Sequence, residues 1–161
     1  MAINERLVQM FMAKNPDLSF ALQESFPLRG TYGDALPLGP LMQLGARKDQ
    51  NTFTADKAAQ SVAYWQNIAE QAFANPETAG SSTAMKSYSH DTAAAANLLA
   101  SHNFTAEAEQ AYRVATRLWP ENPGPVAGLA DLYTRGGRPN EAQQLLQEFD
   151  RQYPDQKKEM E

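Results

Sequence analysis

Ser87, Ser89, His90 and Asp91 bring a nucleophile, a base and an acid within five positions of one another, the residue types of a hydrolase. Such chemistry needs convergence, with the hydroxyl on the imidazole and the imidazole on a carboxylate. The surrounding pattern predicts a helix from about Thr83 through Ala100, where neighbours point about 100° apart. Ser89, His90 and Asp91 therefore diverge, and a hydrolase using Ser87, His90 or a carboxylate is the rival reading rather than the preferred one. Ser87 and Asp91 share a helix face, where an ordinary i, i+4 hydrogen bond is expected. The two histidines, His90 and His102, lie about 18 Å apart along one helix, too far for a single metal ion. Gly30-Thr31-Tyr32-Gly33-Asp34 lacks the Lys-Ser/Thr of a phosphate loop and the spaced glycines of a dinucleotide turn, so it reads as a turn. Trp65 and Trp119 occupy helix positions where core packing is the default. Glu107 and Glu109 read as first-turn charges on a solvated face. No catalytic, cofactor-binding or metal-binding set emerges, and the chain reads as non-catalytic, with no cofactor.

The elements that carry these residues follow from periodicity. Residues 3 to 14 read as an amphipathic helix with Ile3, Leu7, Met10 and Phe11 on its apolar face and Lys14 at the border. Asn15-Pro16-Asp17 ends it, and Asp17 is placed to cap a second short helix with Leu18, Phe20, Ala21 and Leu22. Pro27 to Thr52 alternates glycine and proline, which rules out a long regular element, yet it keeps Leu28, Tyr32, Leu36, Leu38, Leu41, Met42 and Leu44. A segment that apolar is expected to dock. Leu36-Pro37-Leu38-Gly39-Pro40-Leu41 is expected to lie extended on helical surface, in a groove of the later helices or on the helix of Trp65. Thr54 caps a helix to about Asn75, with a stripe of Ala58, Val62, Trp65, Ala69, Ala72 and Phe73. Pro76 to Ser82 reads as a polar loop.

Beyond residue 89 the chain repeats with an offset of 34. Ala108 recurs as Ala142, Tyr112 as Leu146, Pro120 as Pro154, Glu107 as Glu141, Leu99 as Tyr133 and Asn103 as Gly137. A fixed offset of this length marks stacked helix–turn–helix units. The small Ala108 and Ala142 permit close helix approach, and Asn103 and Gly137 suit the left-handed backbone that ends a helix. Helices are expected at about 83–102, 105–118, 123–136 and 139–152.

The second unit resembles the tetratricopeptide repeat: Leu129, Ala130 and Tyr133 take the places of the family's Leu, Gly and Tyr, followed by Ala142, Leu146 and Pro154. Val126 replaces the family's leading Trp. The first unit, roughly Ser89 to Asn122, matches through Leu99, Ala108, Tyr112, Ala115 and Pro120. The resemblance implies an all-α fold, a helical hairpin array of two units with right-handed stacking, and a protein or peptide partner on the inner face. That face would comprise His90, Ala93, Asn97 and Ser101 from one unit, and Gly124, Ala127, Asp131, Thr134 and Arg135 from the other. Some family members clamp a C-terminal carboxylate with a Lys and an Asn four residues apart. Here Ala93 stands four before Asn97 and the next unit offers Asp131, so no such clamp is expected.

The chain reads as a single domain over 1–161. An N-terminal region (1–52) of helices and apolar Gly/Pro-rich segment is followed by a helical lead-in (54–88) and two repeat units (89–154). Its formal charge of −5 disfavours nucleic acid or an anionic membrane as the main partner. Without cysteine there are no disulfides or thiolate sites. No apolar run spans a bilayer and no signal peptide opens the chain, which favours a cytoplasmic setting and no membrane insertion. The chain reads equally as an excised domain or a natural start. The expected function is protein interaction or scaffolding, with an oligomerisation or intramolecular regulatory domain, whose partner is itself or a parent chain, as the alternative. Leu145, Leu146 and Phe149 end the array, and their cover is expected from a second copy, a parent protein or the N-terminal region.

Overall fold

The computed structural model of the chain describes residues 3–23, 35–45 and 53–159. Its elements in order are α1 (Ile3–Lys14), β1 (Phe20–Leu22), β2 (Leu36–Leu38), β3 (Leu41–Leu44), α2 (Ala55–Ala74), α3 (Pro76–Ala79) and α4 (Ser82–Ser101). These are followed by α5 (Thr105–Leu118), α6 (Pro123–Arg135), α7 (Pro139–Gln152) and a 3-10 turn at Pro154–Glu159. The four repeat helices fall within a residue of their expected bounds, and the fold is a helical array.

The offset of 34 is visible in the hydrogen bonds. The N–H of Phe104 donates to the Leu99 carbonyl and the N–H of Arg138 to that of Tyr133, each closing a helix five residues back. Asn103 and Gly137 stand at φ 65° and 74° in those turns. Ala108 and Ala142 are buried where the hairpins close, and Leu99, Tyr112, Leu129 and Tyr133 fill the space around them. α2 packs on α5 and α4 through Ala58, Val62, Trp65, Ala69 and Ala72. Phe73, expected in that stripe, is 40% exposed, and the Arg117 guanidinium sits 4.9 Å above its ring. Asn75 accepts from the N–H groups of Glu77 and Thr78, so the expected loop after α2 contains the short helix α3.

The N-terminal region departs from an all-helical plan. Phe20–Leu22 is a strand, not the expected second helix, and joins β2 and β3 in an antiparallel sheet of order β1-β3-β2. Phe20 and Leu22 turn toward the core with Ala21 outward, a period of two that wins because β3 supplies a partner. Leu38 pairs with Leu41, so Gly39-Pro40 is a two-residue hairpin loop within the segment expected to lie extended. Pro37 sits on the edge strand β2, where its missing N–H costs least. The hairpin rests on α2 and α4.

α1 turns the opposite way from expectation. Val8 and Met12 pack on the core of Met42, Leu44, Ala94 and Leu98, and Glu5 is buried, whereas Leu7, Met10 and Phe11 are 45%, 47% and 60% exposed. Apolar residues surround this helix, so its periodicity does not fix the buried face. The Gly30–Asp34 turn lies outside the described residues.

At the far end Phe149 is buried, Leu145 and Leu146 are half-buried, and Tyr153 packs its ring 5.3 Å from that of Phe149. The 3-10 turn folds back on α6 and α7. The chain's own C-terminal segment thus supplies part of the cover that was expected from elsewhere.

Candidate functional site

The face expected to hold a partner lies on α4 and α6, which pack side by side. Their relative placement is set by a buried polar chain. Asn122 caps α6 by accepting from the Gly124 N–H, and its amide donates to the Ser89 hydroxyl at 2.9 Å. That hydroxyl donates to the Ala115 carbonyl at 2.8 Å. Ser89 is fully buried, so its hydroxyl links α4, α5 and the start of α6 instead of meeting a substrate. Tyr112 lies between the two hairpins and donates to Asn97 Oδ1 at 2.7 Å. An added Cβ at Gly128 would stand 2.5 Å from the Tyr112 ring, so α6 approaches this closely only with glycine there.

On α4, His90, Asn97 and Ser101 are exposed and recur at i, i+7 and i+11, one helix face. Ala93 is the exception: it is buried, covered by its neighbours, and cannot line a groove. On α6, Gly124, Ala127, Asp131, Thr134 and Arg135 are exposed. The hydroxyls of Ser101 and Thr134 donate to their own helix, to the Leu98 and Ala130 carbonyls. Arg135 meets Asp131 through two contacts, Nε to Oδ1 at 3.1 Å and a terminal nitrogen to Oδ2 at 2.6 Å. That pair is exposed, so its charges cancel locally and it adds little stability. The polar capacity left is the Asn97 amide N–H groups, the His90 ring and the Asp131–Arg135 pair. The floor between them is Ala127. Such a face can take a polypeptide backbone by hydrogen bonds and shallow apolar contact. It has no cationic pair placed to hold a carboxylate.

The hydrolase set does not converge. Ser87 and His90 are exposed with no hydrogen bond between them, and Ser89 is committed as above. Asp91 accepts from the Gln23 side chain at 3.1 Å, in place of the expected bond with Ser87. Burial pushes the Asp91 carboxyl above its ordinary range, against the opposing pull of Gln23 and the charge of His90. His102 ends α4 and meets Phe53 edge to face at 4.7 Å. Among the described residues, no three His, Cys, Asp or Glu side chains are grouped to hold a metal ion. No helix of the described residues is long and apolar enough to cross a membrane.

Glu109, expected on a solvated face, instead sits at the junction of the hairpins with its side chain 16% exposed. It accepts from Arg138 at 2.8 Å, from Arg113 and from the Tyr133 hydroxyl at 3.2 Å. The Arg138 guanidinium also lies 4.0 Å over the Tyr133 ring. Burial raises the Glu109 pKa, but the Arg138 hydrogen bond and the charges of Arg113 and Arg138, with the Tyr133 hydroxyl, outweigh it and hold the carboxyl below its ordinary range. Arg113 lies four residues on, but Tyr133 and Arg138 are 24 and 29 residues away, so no local pattern announces the full network. Asn122, immediately before Pro123, carries the sequence signature of a helix cap.

The tetratricopeptide repeat family model matches residues 98–160, from the end of α4 through α7 and the 3-10 turn. No curated protein and no solved structure matches the chain. Tetratricopeptide repeats generally serve protein–protein interaction and scaffolding rather than catalysis.

Proposed function

We propose that this chain, on the strength of its tetratricopeptide-like hairpins, is a non-catalytic interaction module of a single domain that holds a polypeptide on the α4–α6 face. The observation that supports this most is the exposure of His90, Asn97, Ser101, Ala127, Asp131, Thr134 and Arg135 on two adjacent helices. The polar and steric ties beneath them, Ser89–Asn122 and Tyr112–Gly128, keep those helices at a fixed spacing. The partner is a neutral or mixed-charge peptide segment read through its backbone, because the face offers amide donors and a self-neutralised ion pair. An affinity capture with mass spectrometry, run with three chains, tests it. The native chain and Gln143→Arg on α7 are expected to recover the same partner, and Ala127→Arg to lose it. Equal recovery by all three chains would contradict the reading.

A second reading, an oligomerisation or intramolecular domain, is favoured by one observation. Leu7, Met10 and Phe11 form an exposed apolar ridge on α1, with Leu18, 63% exposed, in the turn beyond. Ridges of this kind are often covered in an assembly.

A further inference from the structure

Beneath the β2–β3 hairpin the structure forms a small, partly open cleft among Leu41, Met42, Trp65, Asp91, Ala95 and Leu98, with about 10 Å³ of interior space. That is room for one water molecule and for little else. Two polar side chains line it. Trp65 is 2% exposed, and its Nε1–H has no hydrogen-bond acceptor among the described residues. Asp91 accepts from Gln23 through Oδ2 only, and Oδ1 receives no hydrogen bond from a described residue. A side chain with a buried donor lacking an acceptor and a side chain with spare acceptor capacity therefore line the same cleft.

The chemistry of these two groups selects the occupant. A cation would suit Asp91 and oppose the indole N–H. An anion would suit the indole and oppose Asp91. An apolar group would leave the buried indole donor unsatisfied, which is costly. A hydroxyl of water size satisfies both, accepting from one and donating to the other. We propose that the cleft is a specific hydration site in which one long-lived water accepts from Trp65 Nε1–H, donates to Asp91, and bridges α2 to α4. Leu41 and Met42 of the hairpin close the site, so the water's residence time reports how firmly the hairpin is seated. The inference is independent of what binds the α4–α6 face.

Nuclear Overhauser measurements between water and the Trp65 indole proton of the full chain test it, with Trp119→Phe used to assign the signal. The expected result is a cross-peak with the sign of a water that tumbles with the protein. Asp91→Asn keeps an acceptor oxygen and is expected to retain the cross-peak. Asp91→Ala removes the acceptor and is expected to lose it, with indole exchange faster by about tenfold or more. The backbone amide pattern of Leu41–Leu44 verifies in each variant that the hairpin is intact. No cross-peak in the native chain would overturn the proposal, whatever the variants do. So would a cross-peak that persists unchanged in Asp91→Ala with the hairpin intact.

Discussion

Gly128 is the residue on which the spacing of the two hairpins turns. Glycine within a helix usually costs about 1 kcal/mol relative to alanine. Here the alanine Cβ would stand 2.5 Å from the Tyr112 ring, which is itself buried and tied to Asn97. Gly128→Ala is therefore expected to destabilise by about 1–3 kcal/mol, the cost of overpacking, where propensity alone predicts a gain. Urea unfolding decides by the sign of the change. Glu109 gives a second residue-level prediction. Its folded-state pKa lies below the 4.5 of a free glutamate, held there against burial by Arg138 and Arg113. The stability it contributes is complete above the unfolded pKa and is lost as pH falls through the lowered folded value. Glu109→Gln is expected to be less stable at neutral pH and to lose less stability on acidification below about pH 4. Parallel acid limbs in the two chains would show that the network contributes nothing.

At the scale of elements, what could be read from sequence depended on how local the deciding contact was. The four repeat helices were legible because Ala108 and Ala142, Asn103 and Gly137 recur at one spacing, and each does the same job twice. β1 was not legible, because three residues such as Phe20-Ala21-Leu22 take their period from a pairing partner twenty or more residues away. The buried face of α1 was misread because Val8 and Met12 are as apolar as Leu7, Met10 and Phe11. Of the candidate face, His90, Asn97 and Ser101 lie exposed on α4, and Ala127, Asp131, Thr134 and Arg135 on α6. The burial of Ala93 follows from neighbours that only the folded chain brings together. The α1 ridge carries its own prediction. If it mediates self-association, light scattering is expected to give a mass above the 17.8 kDa of one chain, returning to that value in Phe11→Lys. A mass of one chain for the native protein at all concentrations would remove the oligomer reading.

Among the described residues, a small sheet and α1 cover one part of α4, and another part, beside α6, is exposed. Its formal charge of −5 is spread over a chain whose α4–α6 face is locally balanced, so the proposed recognition there would rest on hydrogen bonding and fit rather than on electrostatic steering. The Ser89–Asn122 link and the Glu109 network tie together the helices that carry that face. Hydrogen exchange of the chain alone and with the captured partner tests this directly. The prediction is added protection concentrated in α4 from His90 to Ser101 and in α6 from Ala127 to Arg135, with α5 and α7 little changed. Protection confined to α1, or to α5 and α7, with the α4–α6 segments unchanged, would contradict it.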